Sequence, residues 1–273
     1  MYEQLIIEIA GVLAFMAVVM AAGWVWQRHT GNGGWIDVSW TFGTGICGVL
    51  VALLTGSGAR AWLLAAMVAL WSLRLGTYIA IRVAKGGKED VRYSRIKAEW
   101  GAAYQGRMFL FMQIQGPITA LLCLAIGLAA LRPGGFGAAD LVGMVILLTS
   151  IAGEALADRQ MAAFRSDQAN KGSVCDTGLW GRSRHPNYFF EWLGWCAWPV
   201  MALQTASSWW LLSLLGPVAM YLLLRFGTGV PPLEATMIES RGDLFRAYQA
   251  RVPVLIPFPP PKRRIPLSPA SAS

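Results

Sequence analysis

Long apolar runs separated by short polar linkers dominate this chain. Residues 5–26, 35–54, 59–82, 108–131, 139–156, 188–203 and 209–224 each approach the ~20 residues with which a helix crosses ~30 Å of hydrocarbon. In that medium every backbone N–H and C=O must be bonded within its own segment, so the apolar runs predict helices. The fold class is therefore all-α, a polytopic integral membrane bundle of seven transmembrane helices. The first run is expected to stay in the mature protein, because it lacks a basic n-region and a small-residue cleavage site and further runs follow it.

The linkers are polar but not uniform. Residues 83–106 are charged enough for a helix-turn element outside the membrane. After the last run, PPLEATMIESRGDLFRAYQA places Leu233, Met237, Leu244 and Phe245 at roughly helical spacing, which predicts an amphipathic helix lying at the membrane surface. The end, PFPPPKRRIPLSPASAS, has the proline and serine content of a disordered tail. The domain reading is thus one seven-helix domain over 1–258 and a tail over 259–273.

Composition agrees with this pattern: 55% of residues are hydrophobic and only 14% charged, which excludes an ordinary soluble domain. The charges are also unevenly placed. Of the 23 lysines and arginines, all but Arg60, Arg132 and Arg74 fall in the linkers after the first, third and fifth runs or in the C-terminal segment. Cytoplasmic loops carry such an excess, so the N-terminus is expected outside and the C-terminus in the cytoplasm. The net charge of +8 then belongs to one face, where it serves topology alone or also meets a polyanionic ligand. Nucleic acid is not that ligand, since no basic-aromatic binding module is visible. Cys47, Cys123, Cys175 and Cys196 lack metal-ligand spacing, and no metal is expected.

Ionisable residues inside apolar runs are costly and mark functional candidates. Here they are Glu8, Asp37, Arg74, Glu154 and Glu191. Asp37, Glu154 and Glu191 lie near cytoplasmic span ends, and Arg74 is about eight residues, roughly 12 Å, from one. Their convergence predicts a cavity open to the cytoplasm; a buried ion pair fixing helix packing is the rival account of Arg74. Glu154, Asp158 and Arg165 share a helical face, as do Trp71, Arg74 and Tyr78. In the latter group the aromatic rings also suit plain packing.

GRSRHPNYFFEW, residues 181–192, lies at the mouth of the sixth run. Pro186 favours a helix start, and a helix N-terminus flanked by Arg182 and Arg184 suits an anionic or amide-bearing ligand. Arg182 alone reads as a solvated loop residue. The longer stretch CDTGLWGRSRHPNYFFEWLGW resembles the C-terminal signature of the membrane steroid 5-alpha-reductase family, and its RHP packet also resembles that of isoprenylcysteine carboxyl methyltransferases. The resemblance spans roughly 35–258 and is strongest over 154–195.

What the resemblance implies is an NADPH-dependent oxidoreductase that reduces the 4,5 double bond of a 3-oxo-4-ene steroid or similar lipophilic enone. It implies that Arg74, Glu154, Asp158, Arg165, Lys171, Arg184, His185, Asn187, Tyr188, Glu191 and Arg225 hold NADPH on the cytoplasmic side. Asp37 would be the counterpart of a ketone-polarising glutamate, a carboxyl kept protonated in an apolar cavity. The family's partner tyrosine would fall near Trp71, with Tyr78 the nearest tyrosine of that span. The substrate would enter from the bilayer lipid, no protein partner is evident, and a bacterial inner membrane is the expected location. An S-adenosylmethionine-dependent methyltransferase and a non-enzymatic transporter or lipid-binding bundle are the rival readings.

Overall fold

A computed structural model describes residues 2–85, 89–204 and 207–257, with the side chain of Tyr2 left aside. The tail at 259–273 lies outside them. The described residues are helical and contain no strand: α1 Tyr2–Thr30, α2 Gly34–Thr55, α3 Gly58–Lys85, α4 Val91–Trp100, α5 Tyr104–Gln113, α6 Gln115–Leu131, α7 Ala138–Ser166, α8 Pro186–Trp195, α9 Ala197–Ala202, α10 Leu215–Phe226, α11 Val230–Arg241 and α12 Asp243–Arg251. Among them, six helical stretches are long and apolar enough to cross a membrane: Glu3–Thr30, Gly34–Thr55, Gly58–Lys85, Val91–Leu131, Ala138–Ser166 and Ser208–Arg241.

The run expected at 188–203 forms two shorter helices instead, α8 and α9, which meet at Cys196. Pro199 is the physical reason. It has no N–H to bond the Trp195 carbonyl, and the Cys196 N–H turns to Leu193 O, three residues back. Pro117 acts the same way on the fourth run, where the helix is interrupted at Ile114 between α5 and α6 because Gln113 O loses its donor.

The chain divides into two compact units. The first comprises residues 1–148 and 193–221. In it α2 packs on α1, α3 and α6 around the fully buried Met16, Met20, Leu64, Leu122 and Ile126. Close approach of α2 to α3 depends on Gly45, where a Cβ would overlap the Ser72 side chain, and small residues at helix interfaces serve such contacts. Some polar groups inside this unit pair across helices. Thr44 and Thr119 share a hydrogen bond of 3.0 Å, and Glu8 accepts from Thr55 and from Gln4.

At the start of α3, Arg60 donates from Nε to Asp140 Oδ1 at 2.9 Å and from Nη2 to Met201 O at 3.1 Å, and Arg132 reaches the other Asp140 oxygen. The two cations that the sequence assigns to the charge-poor side thus share one fully buried carboxylate.

The second unit comprises residues 149–192 and those after 221. Its core is Phe245, Tyr248 and Val252, packed against Val174, Met237 and Ile238. The single surface helix expected here is a pair, because Gly242 at φ +53° ends α11 in a conformation that favours glycine. Phe245 turns inward, whereas Leu244 stays exposed. The 167–185 segment is tied to α7 by Trp180 Nε1 donating to Ala157 O at 3.0 Å and Leu179 N donating to Gln160 Oε1 at 2.9 Å.

Candidate functional site

In the first unit one sequence candidate, Asp37, anchors a cluster at the start of α2. Asp37 sits in its first turn and accepts from Arg92 Nη2 at 2.5 Å and from Tyr93 Oη at 2.8 Å. Both donors belong to α4, which begins where Asp90 caps it: the Asp90 carboxylate accepts from Arg92 N at 3.0 Å. Burial works to raise the Asp90 carboxyl, but the Arg92 guanidinium outweighs it and holds that carboxyl below its ordinary value. Glu89 secures the same junction by accepting from Gly33 N at 2.8 Å. The Tyr93 ring lies against Gly33, where a Cβ would overlap it, so this approach requires glycine.

Two expectations change here. Asp37 was to be a carboxyl donor in an apolar cavity, yet it faces a guanidinium and a phenol and accepts from both. Its aromatic partner was sought on α3 at Trp71 or Tyr78, whereas the phenol that Asp37 bonds is the buried Tyr93 of α4. Sequence reasoning missed Tyr93 because it lies in a charged linker outside the apolar runs. The available signal was the GG pair at 33–34, which marks a close backbone approach without naming the partner.

Trp71 packs edge-on against Trp195, with ring centroids 4.9 Å apart, and against Trp40 at 6.3 Å. Trp71 and Trp195 line a small apolar cavity with Val68, Leu147, Gly194 and Trp198. Tyr78 has Arg74 over its ring at 5.6 Å and Arg82 at 6.0 Å.

In the second unit the packet at 181–192 is organised by a residue from α11. Glu234 takes Arg184 Nε at 2.7 Å, shares a hydrogen bond of 3.0 Å with His185 Nε2, and accepts from Gln249 Nε2 at 2.7 Å. Arg184 also donates to Gln249 O and Val252 O, so its guanidinium holds the C-terminal helices to the packet. Tyr188 stacks on His185 at 5.6 Å with the rings nearly parallel. Burial pushes the His185 imidazole below its ordinary value, against the opposite pull of Glu234. A neutral ring then donates its Nε2–H to the carboxylate.

The structure thus brings Arg184, His185 and Tyr188 together through mutual and Glu234 contacts. Glu154, Asp158 and Glu191 are buried, Asn187 and Arg225 are half-buried, and Arg165 and Lys171 are exposed. Exposed Arg165, Lys171 and Arg182 can meet phosphate, whereas Arg184 already directs its donors inward. The Glu234 hub was not foreseen, since nothing in the spacing ties position 234 to position 184.

Residues 23–252 match a family model described as a protein of unknown function (DUF1295). No curated protein and no solved structure matches the chain.

Proposed function

We propose, from the premise that the chain belongs to this family, which is related to steroid 5-alpha-reductase-like membrane proteins, that it is an NADPH-dependent reductase of a lipophilic enone, with a 3-oxo-4-ene steroid as the leading candidate. The observation that carries the reading is the Tyr93–Asp37–Arg92 cluster. Reduction of an enone builds negative charge on the carbonyl oxygen, and a fixed donor at that oxygen lowers the barrier. The Tyr93 hydroxyl is such a donor. A rotation about its C–O bond turns the proton from Asp37 to a carbonyl oxygen, while Arg92 holds the Asp37 charge.

NADPH, when bound, supplies the hydride. The donor set fits its anionic groups: Arg165, Lys171 and Arg182 are exposed cations for phosphates, and Asn187 carries an amide for the nicotinamide carboxamide. Arg184 and His185 are positioning residues that fix the packet through Glu234. We further propose seven crossings, with α8 and α9 as the additional one at about 25 Å, the N-terminus outside, and a bacterial inner membrane with the cofactor residues cytoplasmic. The supporting observation is the distribution of lysine and arginine.

The test compares thermal stabilisation of the purified protein by NADPH, NADH and S-adenosylhomocysteine, since a ligand that binds the folded state raises its midpoint. NADPH oxidation with a 3-oxo-4-ene steroid follows. A selective NADPH shift with oxidation supports the reductase. A shift with S-adenosylhomocysteine alone moves the chain to the methyltransferases, and no shift with any of the three removes the enzymatic reading.

A further inference from the structure

The Trp40 indole nitrogen is buried and faces no hydrogen-bond acceptor among the described residues. Indole is a donor only, so this N–H can be matched only by an acceptor brought to it. The ring cannot easily turn away to find one, because it is held edge-on against Trp71, itself packed edge-on against Trp195. Buried N–H groups left unmatched are rare, and each calls for a physical reason.

Position supplies the reason. Trp40 follows Asp37 by three residues on α2, so the two share a helix face one turn apart. Asp37 holds Tyr93, the donor assigned above to the substrate's carbonyl oxygen. A carbonyl oxygen has two lone pairs, and a single phenol O–H satisfies one of them. The ring beside the indole is apolar: Trp71 lies edge-on to Trp40 and lines a small apolar cavity with Trp195.

We infer that Trp40 is a substrate-binding residue whose indole N–H donates a second hydrogen bond to the carbonyl oxygen of a flat lipophilic ketone, beside Tyr93; the inference rests on the reductase reading. The site therefore prefers ketones over hydrocarbons or ethers of the same shape, before any reduction occurs. Loss of one such bond weakens binding about tenfold.

The experiment is an indole ¹H–¹⁵N spectrum of the full chain in detergent, with the Trp40 signal identified as the one missing from Trp40→Phe, or from Trp40→Tyr should the phenylalanine variant not fold. The probes are a saturated 3-oxo steroid, its 3-deoxy analogue, and NADPH alone. The Trp40 proton is expected to move downfield with the ketone only, and Trp40→Phe to bind the ketone about tenfold more weakly with no change for the deoxy analogue. An unmoved signal assigns the N–H to a resident water and overturns the inference, as does an equal shift with the deoxy analogue. A shift with NADPH alone gives the donor to the cofactor and also overturns it. Oxidation of NADPH by wild type with the unsaturated ketone is read separately. A moved signal without oxidation fails the reductase and leaves the carbonyl site, whereas oxidation with an unmoved signal does the reverse.

Discussion

Replacing Asp140 by asparagine should destabilise the protein by about 3 kcal/mol, the low end of the range for removing one partner of a buried ion pair. Asp140 is fully buried and takes hydrogen bonds from Arg60 Nε, Arg132 Nη2 and Gly137 N. In the amide, the oxygen can remain on Arg60, but the new NH₂ then points at two donors, Arg132 Nη2 and Gly137 N. Two arginines also lose their only counter-charge in that cluster. The low end applies because Arg60 keeps the carbonyls of Arg132 at 3.2 Å and Met201 at 3.1 Å. At about 2–4 °C per kcal/mol for a chain of this size, the midpoint should fall by roughly 6–12 °C. The assay is thermal unfolding of detergent-purified protein followed by tryptophan fluorescence. Asp243→Asn is the control, since that carboxylate is fully exposed beside Arg246 and its loss should leave the midpoint in place. A shift for Asp140→Asn no larger than the control's would refute the argument from buried, uncompensated charge.

Other expectations concern the two clusters. Tyr93→Phe should lower turnover about 100-fold or more with NADPH affinity retained, and Asp37→Asn should do the same less severely; steady-state kinetics at saturating NADPH decides, and unchanged turnover removes the assignment. Gly33→Ala places a Cβ in the Tyr93 ring and should reproduce the turnover defect without touching either functional group. Substituting Arg165 or Lys171 by alanine should weaken NADPH more than NADH if either meets the 2′-phosphate, read by titration. Burial holds His185 below its ordinary value of 6.5, so the unfolded chain takes up the proton first on acidification. Its contribution is present above about pH 6.5 and lost as the pH falls through the lower folded value. The midpoint should drop on acidification and drop less in His185→Gln; a rise would contradict the sign.

Much of the fold was legible because lipid imposes one rule on every backbone group. Apolar runs of sufficient length therefore announced α1, α2, α3, α6 and α7. The breaks were less visible: Pro117 and Pro199 stand inside apolar runs, and hydropathy does not register a missing N–H. The site was legible by parts. Asp37 was conspicuous as a charge in an apolar run, and the 181–192 packet as a polar insertion before one. Their partners were not, because Tyr93 and Glu234 lie 56 and 49–50 residues from the groups they bond and sit in segments that look solvated. Charge spacing along one helix reports a shared face. It does not report which loop folds back to meet it.

The Arg60 clamp also sets an order of events in time. Arg60 must wait for Asp140, 80 residues later, and for the Met201 carbonyl, 141 residues later. At synthesis rates of about 5–20 residues per second, the first delay alone is about 4–16 s. During that interval an arginine near the start of α3 has no carboxylate to meet, and hydrocarbon is a poor place for it. Its position in the first turn allows the guanidinium to remain at the aqueous boundary until α7 is made. The clamp that fixes the start of α3 is therefore complete only after α7 and the Met201 segment have been synthesised.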